Sequence, residues 1–175
     1  DADFLDTEAF MDGQKRMPNT PSMVQLLNRL QNYLSGWFPP KGYLNEQRCK
    51  ILEQCMQSGE IQSPGLFSLT VPTGGGKTIT SLAFAIAHAR KYGLRRIIYV
   101  IPYTSIIEQT AQKFREVLGE EAVLEHHSNV TYDLEEEANP QTIRLAKATE
   151  NWDMPVIVTT AVQFFESLYS CRSSQ

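Results

Sequence analysis

The stretch "LTVPTGGGKTITSLAFAIAHA", residues 69–89, decides how this chain is read. Leu66 to Val71 is a short apolar run, rich enough in bulky residues to predict a buried strand. From Thr78 the apolar residues recur at Ile79, Leu82, Ala83, Ile86 and Ala89, the spacing of one helix face. A strand, a glycine turn and a helix in that order aim free backbone N–H groups and the positive end of a helix at one point. That arrangement binds phosphate. Gly74, Gly75 and Gly76 let the backbone wrap closely, Lys77 can reach terminal phosphates, and the Thr78 hydroxyl is placed to ligate Mg²⁺. The strict P-loop pattern asks for a glycine where Val71 stands. A plain glycine turn before a core helix would not need lysine and threonine in series, so Thr73 through Thr78 are read as a nucleotide site.

The surrounding chain sets the frame. It has 175 residues, 42% hydrophobic and 21% charged, enough to bury a core. Its longest apolar runs, such as Ile97 to Ile101, fall far short of the roughly 20 residues of a membrane helix. The net charge of −4 gives no global field to attract nucleic acid, so any such contact is local. Cys49, Cys55 and Cys171 form no C-x-x-C pair, and their odd number argues against a disulfide framework. A reducing cytoplasm suits them. The chain opens on Asp1 without a leader-like segment, and the expectation is a piece of something larger.

Strand and helix signals alternate along the chain. Met23, Leu26, Leu27, Leu30 and Leu34 outline a helix with Ser22 as its N-cap, and "SGWFPPKG" stops it. A second helix is predicted over about Asn45 to Gln57, and "RRIIYVI" reads as a buried strand ended by Pro102. An amphipathic helix follows, with Ile106, Ile107, Ala111, Phe114, Val117 and Leu118 on one face and Gly119 as its stop. Ala122–Leu124 is a short apolar stretch. An acidic loop with Glu135–Glu137, a helix near Gln141–Ala148, the strand "PVIVTT" and a helix over Ala161–Tyr169 complete the order. This pattern implies an α/β fold with a parallel sheet covered by helices on both faces.

Several phrases together resemble one family: the phosphate loop "PTGGGKT", "YVIPYTSIIEQT", "LEHHSN" and "VIVTTAVQFFESL". It is the CRISPR-associated helicase–nuclease of type I systems, in which an HD nuclease domain is fused to a superfamily 2 helicase of two RecA-like lobes. The resemblance implies that residues 1–20 end the nuclease domain, 21–42 form a helical connector, and 43–175 form the first RecA-like lobe. It implies that Thr73, Gly74, Gly75, Gly76, Lys77 and Thr78 bind ATP and Mg²⁺, with Lys77 acting on the phosphates. Gln47 and Arg48, with Asn45, would read adenine. Pro102, Tyr103, Thr104 and Ser105, and then Thr159, Thr160 and Gln163, would face single-stranded DNA. Asp3 would ligate a divalent transition metal (Mn²⁺, Ni²⁺, Co²⁺ or Fe²⁺) in the nuclease. An RNA-guided surveillance complex is the implied partner, with no membrane involved. The aspartate–glutamate motif expected to hold Mg²⁺ and position the attacking water does not occur in these 175 residues.

Plainer roles compete. Ser105-Ile-Ile-Glu108 and Thr160-Ala-Val-Gln163 are both capping boxes by sequence. His126 and His127, without a third ligand nearby in sequence, are read as structural or DNA-facing, and His88 as solvated or partner-facing. Two other functions remain open: a restriction-type superfamily 2 DNA translocase, and a P-loop nucleotide-binding module that moves nothing.

Overall fold

The computed structural model describes residues 20–127 and 152–170. Helix α1 spans Met23–Ser35 and opens on a complete capping box: the Ser22 Oγ accepts from the Gln25 N–H, and the Gln25 side chain accepts from the Ser22 N–H at 2.8 Å. Helix α2, Tyr43–Ile61, extends at both ends beyond its predicted bounds. Helix α3 runs Lys77–Tyr92 and stops at Gly93, which takes the left-handed conformation that ends helices. Strand β1 (Ile97–Ile101), helix α4 (Thr104–Leu118), strand β2 (Val123–His126), strand β3 (Val156–Thr160) and helix α5 (Ala161–Ser170) follow.

The strands form a parallel sheet in the order β1-β3-β2. Register decides the two faces. Ile97 lies opposite Val156, Tyr99 opposite Val158, and Val123 opposite Val156, so these side chains share one face. That face packs against α1, α3 and α4 through Leu26, Leu30, Leu82, Ile86, Ile107 and Phe114, all fully buried. On the other face Leu124 and Ile157 meet Trp152, Met154 and, from α5, Phe164. Helices therefore cover both faces, the second less completely: Ile98 and Val100 of β1 are each 40% exposed.

Two expectations change. Leu66 to Val71 is not a strand: Leu66 is fully exposed and only Val71 is buried. A strand needs a ladder partner, and among the described residues none lies beside this segment. Phe67 instead packs edge-on against Phe84 of α3, with ring centroids 4.9 Å apart. His88 is not solvated. It is buried, its Nδ1 lies 3.0 Å from the Gly59 carbonyl, and it stacks on Phe84. Residues 21–42, read as a connector, send Leu26, Leu27, Leu30 and Leu34 of α1 into the same core as the sheet. The acidic loop at 135–137 and the helix near 141–148 lie outside the described residues, as do residues 1–19.

Because α1 belongs to this core, Leu30→Ala should lower the stability of the whole unit by about 2–5 kcal/mol. Urea unfolding followed by far-UV circular dichroism measures this. A helix acting only as a connector would leave the transition unmoved.

Candidate nucleotide site

The phosphate loop is shaped by its glycines. Gly76 has φ +86° and precedes the first helical residue, Lys77, a conformation that side-chain-bearing residues rarely adopt. At Gly75 a Cβ would collide with the Val71 side chain and lie 3.0 Å from the Pro72 carbonyl oxygen. The Gly75 N–H donates to that same oxygen at 3.0 Å, closing the turn. The result leaves Lys77 exposed and Thr78 half-buried at the start of α3.

Two hollows flank this loop. One, of about 690 Å³, has Thr73, Lys77 and Thr78 on one wall and Gln109, Lys113 and Glu116 of α4 on the other. The second, of about 530 Å³, is lined by Tyr33, Trp37, Asn45, Arg48, Gly74 and Lys113, among others. Tyr33 and Trp37 meet edge to face, with centroids 6.3 Å apart. The second hollow is large and aromatic enough for a nucleobase. The first offers a lysine and a hydroxyl beside free helix N–H groups, the donor set for a polyphosphate with Mg²⁺ on the Thr78 oxygen.

Arg48 joins the two. Its Nε and Nη2 both donate to the Gly74 carbonyl, at 2.9 and 2.7 Å, and its Nη1 donates to Asn45 Oδ1 at 3.2 Å. Asn45 in turn donates to the Lys41 carbonyl at 2.9 Å. Arg48, expected to read the base directly, thus spends its fork on the loop backbone, while Gln47 is not on the wall of the hollow. Lys113 was not legible as a site residue. Its Nζ sits 2.7 Å from Glu116 Oε2 and 5.1 Å above the Tyr33 ring. The Glu116 bond, then the Tyr33 bond, raises its pKa, so a fixed positive charge stands between the hollows.

The residues expected to face DNA divide. Pro102, Tyr103, Thr104 and Ser105 are exposed where β1 gives way to α4. The predicted Ser105 cap does not form: α4 starts at Thr104, so Ser105 lies inside it, and the N-cap Tyr103 makes no side-chain bond. Thr160 does cap, accepting from the Gln163 N–H at 3.1 Å, while the Gln163 amide turns to Glu166 at 2.8 Å. Thr159 is fully buried and its hydroxyl has no partner among the described residues, so its side chain presents nothing to a ligand here. His126 and His127 part company. His126 Nδ1 accepts from the Trp152 indole at 3.0 Å, and burial, then the neighbouring His127, lowers its pKa. His127 turns to Glu125. Asp3 lies outside the described residues.

Residues 25–174 match the family described as the type III restriction enzyme, res subunit. The chain belongs to that family. Its members carry a RecA-like, helicase-type ATPase domain, which agrees with the parallel sheet, the phosphate loop and the paired hollows. The chain is also 34% identical over 185 aligned residues to the CRISPR-associated nuclease/helicase Cas3 of Haloferax volcanii. That alignment covers 87% of this chain and 20% of the relative. Among the described residues no helix is long and apolar enough to cross a membrane.

In this res-type domain Arg48 should set the shape of the phosphate loop. Arg48→Ala removes a charge-assisted pair, worth about 1.5–3 kcal/mol if the loop is fully ordered by it. Titration with a fluorescent ATP analogue should show affinity falling roughly tenfold or more. Arg48→Lys should recover little, because an ammonium cannot reproduce the planar fork. Unchanged affinity in both variants would show that the loop holds its shape alone.

Proposed function

We propose that this chain is the ATP-binding part of a single-stranded-DNA translocase fused to a metal-dependent nuclease, acting in CRISPR interference against foreign DNA. The observation that carries the ATP part is the phosphate loop poised between the two hollows, with Lys77 and Thr78 at the mouth of α3. In this reading the triphosphate lies along Thr73–Thr78, and Lys77 neutralises the charge that builds on its terminal phosphate. Mg²⁺, held by Thr78 and the phosphates, supplies further charge neutralisation when bound. The base enters the Tyr33–Trp37 hollow. The similarity to the CRISPR-associated nuclease/helicase supports the nuclease and interference context. On the resemblance of the motifs, an RNA-guided surveillance complex would be the recruiter and Asp3 would ligate the nuclease metal.

Single-stranded DNA would run over the exposed Pro102–Ser105 corner. The free hydroxyls of Thr104 and Ser105, beside the N–H groups of the first turn of α4, suit phosphate. Thr160 supports that edge through its cap on α5 rather than by direct contact. The family description favours a second reading, a restriction-type DNA motor using the same ATP site.

Lys77→Ala should reduce ATP affinity at least tenfold by removing a charged hydrogen bond worth about 1.5–3 kcal/mol. The chain itself should show no multiple turnover in a phosphate-release assay, since the water-positioning carboxylates are not within its sequence. Sustained hydrolysis abolished by Lys77→Ala would sink that part of the reading.

In the complete protein, Thr104→Ala should weaken single-stranded-DNA binding by a similar factor on every sequence tested, because phosphate contacts do not read bases. The salt slope should barely move, since a neutral hydroxyl displaces no counterion. Fluorescence anisotropy on oligonucleotides of different composition decides between this and a base-specific contact.

A further inference from the structure

Away from the phosphate loop, β2 and α4 bring together three groups that are not neighbours in sequence. One ligand atom from each of Glu108, Glu125 and His127 lies within 4.8 Å of the others. We propose that Glu108, Glu125 and His127 form a binding site for a single divalent transition-metal ion, clamping the C-terminal end of β2 to α4.

The site is half built by packing. Glu125 and His127 are 7% and 2% exposed, and Glu125 Oε1 lies 3.0 Å from His127 Nε2. That separation is close to the bite of two ligands at about a right angle on one ion roughly 2.0–2.2 Å from each. The other carboxylate oxygen, Glu125 Oε2, accepts from Arg115 Nη1 at 3.0 Å. Arg115 is itself drawn from the same α4 that carries Glu108 and also faces Glu120 at 3.5 Å. The guanidinium thereby fixes the Glu125 carboxylate and leaves Oε1 aimed at the imidazole, as outer hydrogen bonds orient ligands in metal sites.

Glu108 supplies the third arm. It is exposed on the first half of α4, so its carboxylate can turn to close the triangle. Strand alternation explains why Glu125 and not His126 takes part. Glu125 shares the α4 face of β2 with Val123, whereas His126 faces Trp152. Two carboxylates and one imidazole suit Zn²⁺, Mn²⁺ or Fe²⁺ better than Mg²⁺, which avoids nitrogen. Three protein ligands leave at least one position for water.

The test titrates Mn²⁺, and separately Zn²⁺, into the full chain without nucleotide, reading bound Mn²⁺ by electron paramagnetic resonance and Zn²⁺ by equilibrium dialysis. The expected result is one equivalent of either ion, competing for the same site. Glu108→Gln should weaken binding at least about tenfold while leaving the metal-free melting temperature unchanged, because Glu108 is exposed. His127→Gln should abolish it. Thr78→Ala should leave it intact, which separates this site from the nucleotide's. Absence of binding, or equal affinity in wild type and Glu108→Gln, would overturn the proposal and leave the Glu125–His127 contact a structural one.

Discussion

Strand β3 is the constraint on which the rest of the structure depends. It is hydrogen-bonded on both sides, to β1 and to β2, and each of its five residues is buried. A strand with no free edge and no free face has to be apolar, and Val156, Ile157 and Val158 satisfy that. Polarity enters only at its C-terminal end. There Thr159 is buried without a partner among the described residues, and Thr160 turns its hydroxyl to the first turn of α5. Parallel strands cannot be joined by a tight turn, and the chain crosses from β1 to β2 through α4, which becomes a wall of the site. Ligand-binding groups then gather beyond the carboxyl ends of the strands, where the loops and helix N-termini converge.

At that edge the phosphate loop gains a support that its own sequence does not supply. A glycine-rich loop is flexible, and each glycine ordered loses more conformational freedom than any other residue would. Arg48 offsets part of that loss by gripping the Gly74 carbonyl from α2, while Val71 fills the space beneath Gly75. The same arginine lines the aromatic hollow. The loop and the aromatic hollow are therefore mechanically joined through one side chain. Lys113, fixed by Glu116 and Tyr33, completes the wall from α4 and keeps a positive charge between the two hollows. A ligand bridging both hollows would contact groups from α1, α2, α3 and α4 at once, and would tie the whole covered face of the sheet together.

What the sequence by itself determined was whatever depends on near neighbours in the chain. The phosphate loop, the leucine stripe of α1, the amphipathic face of α4 and the Ser22 cap are contained within a few turns of backbone. Periodicity and capping chemistry report them directly, and each stands where it was expected. The tertiary structure alone decided whatever depends on a partner from elsewhere. The run Leu66 to Val71 reads as a strand because its residues are apolar, but a strand exists only where another lies beside it. Ser105 had the spacing of a cap, yet the chain entering from β1 starts the helix two residues earlier, with Tyr103 at the cap position. His88 looked solvated until α2 packed across it, and nothing near Arg48 in sequence announced the Gly74 carbonyl that its fork grips. His126 and His127 are adjacent in sequence, yet His126 closes β2 and His127 lies just past it. The first meets Trp152 on the face opposite Val123 and the second turns to Glu125, because side-chain direction at a strand's end is set by the sheet it leaves.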